Sequence, residues 1–496
     1  MMAQIKPSVF REYDIRGIAG EDFSPQEIAK YEKLYGPFPG VTLTKEAAFG
    51  IGKAYGTIIK KEGGKKVVVG YELRPFAKEL KASFISGVLS TGCNVADAGV
   101  TLTPFIYFAV AYFGFDGGVN ITGSHNVYFY NGFKMMKKGV WPLFGKEIQQ
   151  MRGMIEKEVW EAGQEGMLET VDVYQAYREY LLSHIQLERH PRIVVDTGNG
   201  SAGTFAPELF RELGCEVIEL YTTPDATFPN HDPDPEAPQN MKDLAEKVRQ
   251  EKADFGIGLD ADGDRAGFVD EQGNFVSADL ALLVFAEDAL SRNPGKKVLF
   301  DVKSSQLLQE LIPGYGGVPL MHRTGHAPIK ETLRKDPEII FGGEVSGHFY
   351  FVEQYFKIDD GVFAAAKMLE LASKHEGPFS SLFQEIPTRV RTPEIKLACV
   401  DDKKFQVVEH ITKNLKEKFP ATLIDGIRVQ ITEKGWGLIR ASNTSPYLTV
   451  RVEGETEQEV LQIKSILADE LEKFPEVQET LDREHVTSFS GKLGWR

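Results

Sequence analysis

Three times along this chain a strand-like apolar run ends in a polar turn and leads into a helix. The runs are Lys66 to Gly70 ahead of Glu72 and Arg74, Arg192 to Asp196 ahead of Gly198, and Lys297 to Asp301 ahead of Lys303. Such a recurrence predicts three α/β units. In open α/β sheets ligands gather beyond the carboxyl ends of the strands, where these turns would lie, so function is sought there. The last hundred residues break the pattern. GIRVQIT, GWGLIRAS and YLTVRVEG read as strands, and Thr456 to Phe474 reads as one amphipathic helix. Thr456 and Glu459 form a candidate capping box, and Val460, Ile463, Ile466, Leu467 and Leu471 fall on one helix face. The expected fold is α/β: three α/β mixed-sheet domains, 1–169, 170–275 and 276–387, plus a smaller C-terminal α+β domain, 388–496. The polar tail after Pro475 carries no assignable element.

At 496 residues, 42% of them hydrophobic, the chain can fill several separate cores. Its net charge of −15 repels nucleic acid and anionic membranes, so neither is an expected partner. Any anionic ligand must be drawn by a local basic cluster. The segment MMAQIKPSVFREYDIRG lacks the apolar core of a signal peptide, and the most apolar helix candidate, Ala278 to Leu290, is broken by acids. Cys93, Cys215 and Cys399 are far apart and without CxxC spacing, which fits a reducing cytoplasm. A soluble cytoplasmic protein is expected.

The sharpest motif is Leu259-Asp-Ala-Asp-Gly-Asp-Arg265, between the strand-like FGIGL and AGFVD. Carboxylates at alternate positions repel one another unless a cation sits among them. An oxygen-only set favours magnesium or calcium over zinc. An EF-hand loop also begins DxDxD, but Arg265 stands where that loop needs glycine, and the flanks are strands. A second loop, Asn120-Ile-Thr-Gly-Ser-His-Asn126, is followed by Asn131-Gly-Phe-Lys134. Its glycine frees the backbone to approach a phosphate, and Ser124 is a candidate nucleophile with His125 and Lys134 near it in sequence.

Two further loops carry candidate ligand groups. Arg440-Ala-Ser-Asn-Thr-Ser445, followed by Arg451, gathers a guanidinium, hydroxyls and an amide, as binding a phosphate dianion requires. Gly343-Glu-Val-Ser-Gly-His348 offers a carboxylate, a hydroxyl and an imidazole suited to sugar hydroxyls. Each loop alone also reads as a polar turn. A competing signal is Gly198-Asn-Gly-Ser-Ala-Gly203 after RIVVD, with Glu219 about twenty residues on, which meets the dinucleotide fingerprint of an NAD-dependent dehydrogenase. A tight strand-to-helix turn explains it equally, and a dehydrogenase has no use for the aspartate trio or the arginine-rich turn.

Taken in order, FREYDIRG, TGSHN, DADGDR, GEVSGH and RASNTSP resemble the motifs of the α-D-phosphohexomutases, the phosphomannomutase and phosphoglucomutase family. The resemblance spans the whole chain. It implies four domains around a central cleft and reversible transfer of phosphate between positions 1 and 6 of a hexose phosphate. Ser124 would be the phosphoserine, completing a Mg2+ site with Asp260, Asp262 and Asp264, and a hexose 1,6-bisphosphate would be intermediate and activator. Arg265 would steady the transferred phosphate. Tyr13, Arg16 and Lys134 match residues around that group, Glu344 and Ser346 a pair gripping sugar hydroxyls, and Lys303, His326 and His348 further cleft residues, with His348 the candidate general acid/base. Arg440, Ser442, Asn443, Thr444 and Arg451 would hold the other phosphate. A non-catalytic sugar-phosphate-binding protein on the same scaffold is the other reading, against which the intact serine, metal loop and Lys134 argue. The chain departs from the family where Val127 and Tyr128 replace the proline usual after His-Asn, where Glu72 replaces a common aspartate, and where Lys33 to Thr44 resembles an insertion.

Overall fold

The computed structural model describes residues 5–21, 23–35, 37–161, 163–442 and 446–483. They divide into two units: residues 1–273, 326–337 and 346–379 form the first, and 274–325, 338–345 and 380–496 the second.

In the first unit the strand Lys66–Tyr71 lies between two parallel neighbours, Asn94–Val100 and Gly117–Ile121. Val67, Val68 and Val69 are wholly buried, as a parallel strand covered on both faces requires. Helices Ala77–Leu89 and Thr103–Tyr112 pack on this strand. Gly117–Ile121 runs on through residues 122–129 into the antiparallel strand Tyr130–Lys137, so Ser124 sits at the carboxyl end of a buried strand. Ile15–Ile18 pairs with the start of Tyr130–Lys137, placing Arg16 opposite Gly132. A second sheet in this unit has Arg192–Asp196 between parallel Glu216–Leu220 and Phe255–Leu259. Phe255–Leu259 pairs antiparallel with Ala266–Asp270, and the aspartate-rich loop is the hairpin turn between them.

In the second unit Lys297–Asp301 lies between parallel Val318–His322 and Ile339–Gly343. The last domain is an antiparallel sheet of Tyr447–Gly454, Trp436–Ala441, Ile427–Gln430 and Ala421–Thr422 in that order. Helices Lys404–Lys416 and Glu457–Leu471 supply Ile411, Leu415, Val460, Ile463, Leu467 and Leu471 to a core shared with Ile427, Val429, Ile439 and Val450. Each such burial contributes about 1.5–3 kcal/mol. Ile466, expected on the same face, is only partly buried at its margin.

The cap of the last helix differs from the expected box. Thr456 accepts from the Glu459 backbone N–H at 3.2 Å, but the Glu459 carboxylate accepts from the N–H of Glu455 at 2.6 Å, one residue before the cap. The start of the tail is also structural: Val477 bridges to Cys399, and Leu481 is buried in the core of the last domain. Among the described residues no helix is long and apolar enough to cross a membrane.

Candidate active site

All three aspartates of the hairpin are completely buried. Each spends one oxygen on the protein. One oxygen of Asp260 accepts from the Arg265 N–H at 3.1 Å, one of Asp262 accepts from Lys134 Nζ at 2.7 Å, and one of Asp264 also accepts from Lys134. The other three oxygens, Asp260 Oδ2, Asp262 Oδ1 and Asp264 Oδ1, have no hydrogen-bond partner among the described residues. The three side chains can each offer one oxygen within 4.8 Å of the others. Burying an unpaired carboxylate is costly, and three together costlier still. Burial, then Asp264 and Asp262, drives the Asp260 carboxyl well above the usual range. Burial pushes Asp264 up as well, but Lys134 and His348 outweigh it and hold that carboxyl low. Lys134 and the Arg265 guanidinium, 3.9 Å from Asp260 Oδ2, offset part of this charge but donate no hydrogen bond to the three remaining oxygens. An all-oxygen set with one unclaimed oxygen per side chain fits a hard divalent cation.

The serine loop meets this hairpin through Thr122. The Thr122 hydroxyl accepts from the Ser124 N–H at 2.7 Å and lies 2.5 Å from Glu72 Oε2 and 3.0 Å from Asp262 Oδ2. Thr103 donates to the same Asp262 oxygen, and its own backbone N–H donates to the Asp262 carbonyl at 3.0 Å. Ser124 is buried and has φ of 54°, a left-handed conformation costing about 1–3 kcal/mol for a residue other than glycine. Its Oγ lies 3.1 Å from His125 Nδ1. Gly123 is required here, since a Cβ would come within 2.4 Å of the Tyr130 carbonyl oxygen. Arg74, paired with Glu72, reaches into the loop and donates to the carbonyls of Ser124, Val127 and Tyr130.

Further basic and imidazole groups cluster at the hairpin. Arg265 donates through Nε to His348 Nε2 at 3.2 Å and lies 3.4 Å from Asp234. His348 Nδ1 faces Asp359 Oδ2 at 3.2 Å, and Lys330 donates to the other Asp359 oxygen at 2.8 Å while lying over the Tyr107 ring. Burial raises the Asp359 carboxyl, but Lys330 and His348 outweigh it and hold it far below its usual range. The His326 ring lies 6.0 Å from that of His348 and 6.4 Å from that of Tyr13, and neither of its nitrogens has a hydrogen-bond partner among the described residues. Burial, with Lys330 and Lys134 nearby, keeps it neutral. Arg16 donates to Asp14 at 2.6 Å. Thr103, Lys330 and Asp359 carry no role in the sequence reading, and Glu72, Arg74 and Thr122 enter it only as turn and motif positions without an assigned contact. The Asp-Asp-Gly before the apolar run at 361 was the one local signal, and it marks Asp360 as the N-cap of helix Gly361–Lys374.

Ser346 lies in the first unit and Glu344 in the second, where Glu344 accepts from the Gly325 N–H at 2.8 Å. The second unit also holds Lys303, which donates to Glu394 at 2.7 Å, and Arg440, which donates to Asp425 at 3.0 Å. Arg440 and Arg451 share one face of the sheet, since Arg440 pairs with Thr449 and Arg451 with Leu438. Arg451 and Arg391 both donate to Asp279 Oδ2, at 3.3 Å and 2.8 Å. The Ser442 N–H donates to the Tyr447 carbonyl at 3.0 Å, closing the neck of the loop. Asn443 and Thr444 lie outside the described residues.

The dinucleotide-like turn is used for packing. A Cβ on Gly200 would come within 2.4 Å of Ala261 Cα, and one on Gly203 within 1.9 Å of the Thr222 carbonyl oxygen. The Ser201 N–H donates to the Ala261 carbonyl at 2.9 Å, so this turn supports the aspartate hairpin. Glu219 is occupied by Arg211 and Thr222.

Four family profiles match consecutive stretches of the chain. They describe phosphoglucomutase/phosphomannomutase α/β/α domain I (residues 7–162), domain II (175–273), domain III (277–390) and the C-terminal domain (394–470). The chain belongs to the phosphoglucomutase/phosphomannomutase family and is an enzyme of the phosphohexomutase class, with the three α/β domains and smaller last domain that the sequence predicts. It is 40% identical over 465 residues to a phosphomannomutase/phosphoglucomutase of Pseudomonas aeruginosa, covering 94% of this chain and 95% of that protein. It is 37% identical over 478 residues to a phosphoglucomutase of Neisseria gonorrhoeae, covering 96% and 99%. Among solved structures, a phosphoglucomutase/phosphomannomutase family protein of Burkholderia thailandensis superposes with a TM-score of 0.86 at 34% identity, covering 96% of this chain and 100% of that one.

Proposed function

We propose that this enzyme moves phosphate reversibly between the 1- and 6-positions of a hexose phosphate, mannose and/or glucose, through a phosphoserine at Ser124 and a hexose 1,6-bisphosphate. The observation that carries this reading is the set of three unclaimed aspartate oxygens on a hairpin whose Asp262 is tied, by its other oxygen, through Thr122 to the backbone of Ser124. The naming of the Pseudomonas aeruginosa relative for both sugars supports the substrate class.

In the proposed cycle the free hydroxyl of a hexose monophosphate attacks phosphorus on Ser124. The new sugar O–P bond forms as the Ser124 Oγ–P bond breaks, giving the bisphosphate. His348 takes the hydroxyl proton at Nε2, the nitrogen left as the acceptor by the Asp359 contact at Nδ1, once the substrate hydroxyl displaces the Arg265 N–H that Nε2 accepts here. After the sugar turns over, Ser124 Oγ attacks the phosphorus of its other phosphate, that sugar O–P bond breaks, and the proton held by His348 goes to the departing sugar oxygen. Arg16, Lys134 and Arg265 offset negative charge on the transferred group, and because they are held by fixed carboxylates they reorganise little during transfer. Asp260, Asp262 and Asp264 would hold a divalent cation, which we assign as Mg2+ and which would supply further positive charge at the phosphoryl group.

Tyr13, Lys303, His326, Glu344 and Ser346 are assigned to the sugar. Arg440, Ser442, Asn443, Thr444 and Arg451 are assigned to the phosphate that stays put, hexose 1,6-bisphosphate is the activator, and the domain limits 1–169, 170–275, 276–387 and 388–496 are retained. The three cysteines are free and buried, which accords with a cytoplasmic location. Ser124→Ala should lower kcat by on the order of 10⁴-fold or more. Near-normal conversion of glucose 1-phosphate or mannose 1-phosphate by that variant, with Mg2+ and a trace of bisphosphate, would refute the assignment.

A further inference from the structure

Two of the three departures from the family pattern, the segment around Lys33 to Thr44 and the Val127-Tyr128 pair, meet in space. The neck of the segment after Ile15–Ile18 is closed by three hydrogen bonds: Ile18 N–H to Thr42 Oγ1 at 2.8 Å, Thr42 N–H to the Ile18 carbonyl at 2.9 Å, and Leu43 N–H to the same carbonyl at 3.0 Å. The chain between, which includes helix Pro25–Tyr35, is therefore an excursion that leaves the sheet and returns to the same point. Its rings at Phe23, Tyr31 and Phe38 go to one place. Phe23, Tyr31 and Phe38 pack with Ile18, Val127 and Phe129, and Tyr128 and Tyr130 lie against the same cluster.

The contacts are dense. Phe129 stands 5.7 Å from Phe23, 5.8 Å from Tyr31 and 6.5 Å from Phe38, ring centre to ring centre. Tyr31 stacks on Tyr130 at 6.0 Å, and their hydroxyls are 3.2 Å apart. Phe23 and Tyr31 each meet Phe38 edge to face, at 5.1 Å and 5.3 Å. Beside this cluster the Ala19 N–H donates to the Phe129 carbonyl at 3.0 Å.

We propose that this aromatic excursion is a positioning device that holds the Ser124 loop in its strained conformation where a proline would otherwise stiffen it. This inference rests on the reading of Ser124 as nucleophile. The loop has two clamps. Arg74 grips the carbonyls of Ser124, Val127 and Tyr130, while the rings grip the Val127 and Phe129 side chains that follow the serine. Arg74 fixes carbonyls only while the backbone between them stays in place. A chain with Val-Tyr after His-Asn has no ring-locked φ there, so the left-handed Ser124 conformation can relax unless side chains hold it. Phe23, Tyr31 and Phe38 supply that restraint, and none of them is among the residues assigned to the substrate.

The test uses the full-length enzyme with Mg2+, comparing wild type, Tyr31→Phe and Tyr31→Ala/Phe38→Ala. Readouts are kcat and KM for glucose 1-phosphate, thermal midpoint, and intact-mass detection of phosphate on Ser124 after glucose 1,6-bisphosphate treatment. Because misplacing a reacting group by about 1 Å costs on the order of 10²-fold, the double variant should lose about 10- to 100-fold in kcat with KM within about two-fold. Its phosphoserine should hydrolyse faster than that of wild type. Tyr31→Phe, which keeps the ring, should stay within about two-fold of wild-type kcat. If the double variant fails to fold, Tyr31→Leu carries the same test, with amide hydrogen exchange over residues 121–131 as readout. Unchanged kcat and exchange in the variants, with wild type phosphorylated at Ser124, overturns the positioning proposal alone. Wild type that takes no phosphate at Ser124 overturns the nucleophile assignment instead.

Discussion

The aspartate hairpin of the first unit and the basic residues of the second are built on opposite terms. At the hairpin three buried carboxylates keep one oxygen each without a donor, and burial with mutual repulsion drives Asp260 far from its ordinary titration. In the second unit four cations have carboxylate partners: Lys303 with Glu394, Arg440 with Asp425, and Arg391 and Arg451 with Asp279. A cation arriving at the hairpin relieves a standing electrostatic cost. A phosphate arriving at the arginines must replace interactions already made, so its net affinity is a difference between two similar terms. Under the proposed cycle, tight retention suits a resident ion and modest retention suits a phosphate that leaves or turns over.

The largest effect tests the acidic end. Asp260→Asn should abolish tight Mg2+ binding in calorimetry and lower kcat by on the order of 10²–10³-fold, while raising the thermal midpoint of the metal-free protein by removing repulsion. A lowered metal-free midpoint would show that the trio is balanced without a cation. Next, Arg440→Lys should raise KM about 10-fold with little change in kcat, because an ammonium cannot make the paired N–H contacts of a guanidinium. A fall in kcat alone would place Arg440 with the reacting groups. Smaller and opposite in sign, Asp425→Asn should lower KM by about two- to five-fold by weakening the hold on Arg440. An unchanged KM would mean that the pair does not compete with phosphate.

The smallest effect on turnover concerns pH. Burial raises the Glu394 carboxyl, but Lys303 and then Lys396 outweigh it and hold it below the usual range. A carboxyl with a lowered folded pKa contributes stability that is complete above its unfolded value of about 4.3 and is lost as pH falls through the lowered folded value. Glu394→Gln should therefore flatten the acid limb of a thermal-midpoint profile below about pH 5. Parallel profiles for variant and wild type would remove the Lys303 pair from the account.

Local pattern carried much of this protein in plain view. Arg192–Asp196 and Lys297–Asp301 form at the expected residues because a strand buried on both faces must be a short apolar run. The DADGDR hairpin was legible because its strands and its charges are adjacent in sequence. Thr103, Thr122 and Lys134 were harder to read, since each meets Asp262 across 159, 140 and 128 positions. Asp359 meets His348 from another strand-to-helix junction, and Lys330 meets Asp359 from a helix, with no shared motif. The sequence flagged the segment around Lys33 to Thr44 and the Val127-Tyr128 pair separately, but nothing in either said that they touch.

The amino-acid order alone determined the family, the succession of α/β units, and which residues carry charge or a nucleophilic hydroxyl, because these depend on periodicity and on groups a few positions apart. Only the tertiary structure decided which aspartate oxygens are claimed and which are not, that the serine backbone is strained, and that an aromatic excursion packs against its loop. Those are balances of burial against partner, and a partner a hundred residues away has no local signature until the chain has folded around it.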